Sequence, residues 1–140
     1  MRPESFYTEA GQAEALGAAL SDHERGLGVP LVVLDDDGQV AGRINVTSIV
    51  RGPFLSADVG YWIAQTANGR GLATSAVAGV KRLCFDELGL HRLQASTLLH
   101  NAASQKVLAR NGFQQIGMAP EYLKIAGRWQ DHLLFQVLAP

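Results

Sequence analysis

The stretch Gly60–Val80, "GYWIAQTANGRGLATSAVAGV", places Gly69, Gly71, Ala73, Thr74, Ser75 and Ala76 at a junction where a packed protein usually carries bulk. It reads as a strand that breaks on a glycine turn and restarts as a helix. Gly69-Arg70-Gly71-Leu72-Ala73 then lies where unpaired backbone N–H groups and the helix dipole favour an anion. Glycines let the backbone approach a phosphate closely, and Arg70 adds a positive charge. A turn that merely packs one helix tightly would carry the same residue types, so both readings stand on this stretch alone.

Other reactive side chains are sparse. Cys84 is the single cysteine, so no internal disulfide or cysteine metal cluster can form; its apolar helical setting points to a buried, inert thiol. His23, His91, His100 and His132 lack metal-ligand spacing. At 140 residues, with 47% hydrophobic and 18% charged residues, the chain suits one folded domain spanning 1–140. A net charge of −1 offers no global field for nucleic acid or an anionic membrane, and no apolar run is long enough to span a bilayer. A reducing, cytoplasmic setting fits these features.

The elements around the glycine turn follow from periodicity and punctuation. Thr8 caps an expected first helix carrying Ala13, Leu16 and Leu20, which Gly26 and Gly28 end. "PLVVLDDDGQVAGRINVTSIV" predicts a hairpin about Asp37-Gly38, its acidic run a solvated turn. A strand over 57–64 follows, then a helix from Leu72 with Ala76, Val80, Leu83 and Leu88 on its apolar side and Gly89 at its end. "HRLQASTLL" predicts a strand, and 102–111 a helix closed at Gly112. "FQQIGMA" and "EYLKIAGRWQDHLLFQVL" supply the last strands, the latter pair hinged at Gly127-Arg128. The fold class is α/β in the α+β sense: a mixed, mostly antiparallel sheet with one strand–helix–strand crossover.

Two nucleotide-binding readings fail on the residues. A Walker loop ends in Gly-Lys-Ser/Thr, whereas Leu72-Ala73-Thr74 stands here. A dinucleotide fold closes its next strand on an acid, and that strand ends "STLLHN". The segments "GYWIAQTANGRGLATSAV", "HRLQASTLLHNAASQKVLARNGF" and "EYLKIAGRWQDHLLFQV" do resemble, in order and spacing, consecutive signatures of the GNAT N-acetyltransferases. The resemblance runs from about Pro30 to the C-terminus and lies nearest the ribosomal-protein-alanine (RimJ/RimL-like) branch.

That resemblance implies a GNAT fold using acetyl-CoA, with the pyrophosphate on the N–H groups of Gly69, Arg70, Gly71, Leu72, Ala73 and Thr74. Asn68 stands where the family usually has Gln or Arg, which leaves the contact to the backbone. Pantetheine would lie beside the preceding strand on the backbone of Trp62, Ile63 and Ala64. Family members usually begin with a strand and helix ahead of "RPESFYTEAGQ", which here almost opens the chain. This implies either a homodimer covering the exposed edge or a start further upstream.

Acetyl transfer needs an amine stripped of its proton and a thiolate that can be protonated. Many GNAT enzymes place a Tyr acid on the last helix, where this chain has Leu108. The branch carries "N-x-x-S" just upstream, so by resemblance Asn101 holds the pantetheine arm and Ser104 faces the sulfur; Asn101 also suits a plain helix cap. By the same resemblance Glu121 is the first choice of general base; Asp58, on the strand face shared with Gly60 and Trp62, is the second and Asp131 the third, the last alternatively fixing the final hairpin through Arg128. Tyr61, Trp62, Phe113, Trp129 and Phe135 read as core, and Tyr122 as a pocket residue at most. The acceptor implied is a primary amine, foremost a protein N-terminal α-amine. A small-molecule amine, or a catalytically weak acyl-CoA-binding regulatory module, is the alternative.

Overall fold

Asp35 builds the first hairpin. Its Oδ1 accepts hydrogen bonds from the N–H groups of Asp37 and Gln39, each at 2.9 Å, and Gly38 takes the left-handed conformation at φ 79°. The acidic run is thus a turn joining β1 (Val29–Leu34) to β2 (Val40–Val50). The computed structural model describes residues 23, 25–64 and 71–140, so the first helix expected over 8–26 lies outside the described residues apart from its last turn.

From β2 the chain runs antiparallel into β3 (Ser56–Ile63) and later enters α1 (Leu72–Arg82). The helix continues as a π-helical turn, Leu83–Glu87, in which the Leu88 N–H reaches the Leu83 carbonyl at 3.0 Å. This wider turn rotates the apolar stripe relative to a regular 3.6-residue helix. Of the expected line through Ala76, Val80, Leu83 and Leu88, Val80 is buried and Ala76 and Leu88 pack half-buried against the core, while Val77 and Cys84 are the other fully buried positions. Cys84 has no exposed surface, and burial pushes its thiol up to about 11, as suits an inert core residue.

After β4 (Arg92–Leu98) come α2 (Ala102–Arg110), β5 (Gln114–Ile125) and β6 (Arg128–Leu138). The last hairpin turns on Ala126 and Gly127, at φ 54° and 77°, one residue earlier than expected. Two left-handed residues match the right-handed twist of the strands they join. The segments expected as separate strands about Pro120 form one strand, β5, with a register irregularity between Ala119 and Leu123. β5 is an edge strand, where a missing proline N–H is tolerated.

Among the described residues six strands form one sheet in the order β1-β2-β3-β4-β6-β5, every pair antiparallel except β3–β4. Ile44, Val46, Ala57, Val59, Leu93, Ala95 and Phe135 of the sheet share one buried cluster with Val77, Val80, Cys84, Leu108 and Phe113. Both helices therefore cover one face. No described helix is long and apolar enough to cross a membrane.

Candidate active site

The site begins where the one parallel pair fails. β3 and β4 are paired at Ser56–Arg92, Ala57–Leu93 and Asp58–Gln94, and there the pairing stops. Beyond it β3 stays on β2 as far as Gly42–Ile63, while β4 stays on β6 as far as Leu98–His132. The two central strands thus part and leave an opening between two backbone edges. The β2–β3 ladder decides which groups face it. The Ala64 N–H is bound to the Ala41 carbonyl at 2.7 Å, so by alternation Trp62 also turns its backbone to β2; Val59 turns to the last paired stretch of β4, and Tyr61 and Ile63 turn theirs to the opening. Of the expected trio, Ile63 is the one whose N–H and carbonyl point there.

Gly42 sits opposite Ile63, where a Cβ would stand 2.1 Å from the Trp62 carbonyl oxygen; only glycine fits so close to β3. The Trp62 side chain is 39% exposed and Trp129 60% exposed, so neither belongs to the core, whereas Phe113 and Phe135 are buried.

α1 starts without a side-chain cap and with no acidic residue in its first turn. Its ladder opens with the Ser75 N–H on the Gly71 carbonyl at 3.0 Å, so the N–H groups of Leu72, Ala73 and Thr74 have no acceptor within the helix. Asn68, Gly69 and Arg70 lie outside the described residues. Gly71 has a reason beyond close approach: it is left-handed at φ 72°, and nothing lies within 4 Å of where its Cβ would be. The helix start is anchored by Asn111, whose Nδ2 donates to the Thr74 carbonyl at 3.2 Å and the Val107 carbonyl at 3.0 Å. Lys81 Nζ in turn donates to the Asn111 carbonyl at 2.6 Å.

At the start of α2, Asn101 caps the helix by accepting the Ser104 N–H at 3.2 Å. Ser104 Oγ lies 2.7 Å from the phenol oxygen of Tyr61, which also makes a longer contact, 3.4 Å, to the Ser104 carbonyl. Tyr61 is therefore more than a core residue. Burial raises its phenol above the ordinary value, and the Ser104 contact partly offsets that. Strand alternation puts Tyr61 on the helix-covered face with Val59, but its partner lies 43 residues on, a pairing that only the fold makes. Leu108 is 1% exposed and packs into the core.

The opposite face of the sheet carries the carboxylates. Asp58 is half-buried at the last paired position; desolvation raises its carboxyl above the ordinary value, and the Arg92 charge pulls it partly back. Arg92 donates to Gln136 Oε1, Ser56 Oγ and Gln94 Oε1 at 2.7, 3.1 and 2.7 Å. Gln94 Nε2 donates to the Tyr122 hydroxyl at 3.3 Å, and the Tyr122 ring lies 5.6 Å from that of His132. Glu121, next to Tyr122, is exposed and sits in the left-handed region at φ 48°. Its N–H donates to Asp131 Oδ1 at 2.9 Å, so Asp131 braces the β5 irregularity through Glu121. Among the described residues no group of three His, Cys, Asp or Glu side chains stands close enough to hold a metal ion.

An opening between two strand edges, with a helix whose first N–H groups have no acceptor within the helix, suits an extended acyl carrier with a phosphate head. It defines an acyl-group transferase. A family model described as an acetyltransferase (GNAT) domain matches residues 1–114, and the chain belongs to that family. It is an N-acetyltransferase that takes acetyl from acetyl-CoA. The [ribosomal protein uS5]-alanine N-acetyltransferase of Escherichia coli K12 is 33% identical over 141 residues, covering 100% of this chain and 73% of that protein. Among solved structures, Mycobacterium smegmatis RimJ in complex with CoA-disulfide superposes with a TM-score of 0.89 at 31% identity, over 97% of this chain and 65% of that one. A ribosomal-protein-S5-alanine acetyltransferase from Vibrio fischeri gives 0.85 at 32% identity, over 99% of this chain and 76% of that one.

Proposed function

We propose that this chain acetylates the α-amine of a protein N-terminus, of the ribosomal-protein-alanine type. The observation that carries the site is the parting of β3 from β4 after Asp58–Gln94. The choice of acceptor is supported by the whole-chain similarity to proteins named for acetylating ribosomal-protein alanine.

In this reading the N–H groups of Leu72, Ala73 and Thr74 hold the pyrophosphate of acetyl-CoA, favoured by the dipole of α1. The open backbone edge of Tyr61 and Ile63 accepts the pantetheine arm as a strand accepts a neighbour. When bound, acetyl-CoA supplies an activated thioester. Asn101 fixes the start of α2, and Ser104 offers its hydroxyl to the departing sulfur.

Two carboxylates compete to take the amine proton. Glu121 is solvent-exposed. Asp58 stands at the apex of the opening, and its desolvation moves it toward the range where a base works near neutral pH, so Asp58 is the base in this reading. The deciding experiment is thioester turnover with a panel of N-terminal peptides, small amines and polyamines. Turnover confined to Ala- or Ser-starting peptides supports the proposal; polyamine turnover alone moves the acceptor to small molecules. Acetyl-CoA binding without release of free thiol makes the chain a sensor.

A further inference from the structure

Leu108 occupies the place of the usual acid and is sealed in the core, yet a phenol does reach the start of α2 from another element. We propose that Tyr61 is the proton source behind Ser104, relaying a proton through Ser104 Oγ to the thiolate of departing CoA. The proposal rests on the placement of acetyl-CoA in the opening between β3 and β4.

Three observations carry it. The two hydroxyl oxygens stand 2.7 Å apart, a normal O–H···O hydrogen-bond distance, so a proton can pass between them without rearrangement. Tyr61 lies on the open stretch of β3, three residues beyond the last pairing with β4, and its own backbone faces the gap. The Ser104 N–H is held by Asn101, which fixes Ser104 at the head of the helix. A serine alone is a poor proton source because its hydroxyl is far less acidic than a thiol. A phenol behind it lowers that barrier, and burial keeps the phenol protonated at neutral pH.

The step balances. The amine nitrogen bonds to the carbonyl carbon, the C–S bond breaks, and its electron pair goes to sulfur. Sulfur takes the Ser104 proton while Ser104 Oγ takes the proton of Tyr61. The tyrosinate then recovers a proton from water, equal to the one the amine released through Asp58. The Tyr61 hydroxyl touches no substrate atom; it acts through Ser104.

Tyr61→Phe retains the ring and its packing, so it tests the hydroxyl alone. Acetyl-CoA affinity, measured by calorimetry, should stay within about threefold, while kcat falls about 10–100-fold, the low end of general acid–base effects. Ser104→Ala should fall by a similar factor. The double variant should fall no further than about threefold below the worse single, because members of one relay are not additive. A readout independent of turnover is the thiolate absorbance of bound CoA, titrated with pH. The hydrogen-bond donor stabilises the thiolate, so the bound thiol should titrate higher in Tyr61→Phe than in wild type.

Additive losses, or a Tyr61→Phe enzyme with full kcat and an unmoved thiol titration, would overturn the relay while leaving the acetyl-CoA placement intact. A wild-type chain that binds no acetyl-CoA would overturn the placement and the relay together.

Discussion

Asp58 and Gln94 are the last residues at which the two central strands touch; one residue further the sheet opens. This places a partly desolvated carboxylate at the closed end of the gap, and Gln94 ties the same point to Arg92 and Tyr122.

The position of Asp58 has opposite effects on rate and stability. Its folded-state carboxyl is raised above the ordinary 3.8, so the folded chain holds that proton more tightly than the unfolded chain does. The associated stability is present below the ordinary value and is lost as pH rises through the raised one. Asp58→Asn cannot ionise and should match or exceed the wild-type melting temperature at pH 7. It should also lose about 100-fold or more in kcat and the acidic limb of the pH–rate profile. Glu121→Gln should keep that limb. Profiles of both variants with one peptide acceptor check this, and loss of the limb in Glu121→Gln instead would move the base to Glu121.

Charge at the start of α1 separates folding from binding. Ala73→Asp adds an anion where the helix dipole welcomes one, worth about 0.3–1 kcal/mol of stability. The same charge repels a pyrophosphate a few ångströms away, so acetyl-CoA affinity should fall about 10–100-fold. Salt should narrow the loss. Calorimetry at two ionic strengths, beside a thermal melt, measures both effects. An unchanged affinity would remove the pyrophosphate from this helix end.

Asn111 joins the two helices that frame the site. Asn111→Ala deprives two carbonyls, Thr74 and Val107, of their donor in a position only 6% exposed. The expected cost is about 1–3 kcal/mol in urea denaturation. Acetyl-CoA affinity should fall as well, because the first turn of α1 loses its anchor. A stability loss with unchanged affinity would show that Asn111 serves the fold alone.

Leu108→Tyr should not restore an acid. The side chain points into the core, 1% exposed among buried apolar groups, so a larger, polar ring overpacks it at about 1–3 kcal/mol or more. The expected outcome is a lower melting temperature with no gain in kcat. A gain would show that position 108 can reach the sulfur.

Local chemistry alone accounts for much of what was legible in the residues. The hairpin at Asp35–Gly38, the glycine that starts α1 and the cap at Asn101 are short-range devices, in which the partners lie within a few positions. The order of three motifs likewise pointed to the family, its acetyl donor and the helix start that meets it. Features depending on backbone conformation were harder to read. The left-handed Glu121, the merging of β5 through Pro120 and the π-helical turn after α1 all depend on tertiary neighbours that override propensity. The catalytic reading shifted most. Tyr61 reads as one more core aromatic until the sheet parts and α2 brings Ser104 to within 2.7 Å, and Asp58 stands second to Glu121 as a base until its place as the final residue before the gap is seen. The sequence by itself determined the order of helices and strands from the first hairpin onward and which carrier they suit, because those depend mainly on neighbours along the chain. Only the tertiary structure decided which hydroxyls and carboxylates meet, because strand pairing joins residues tens of positions apart.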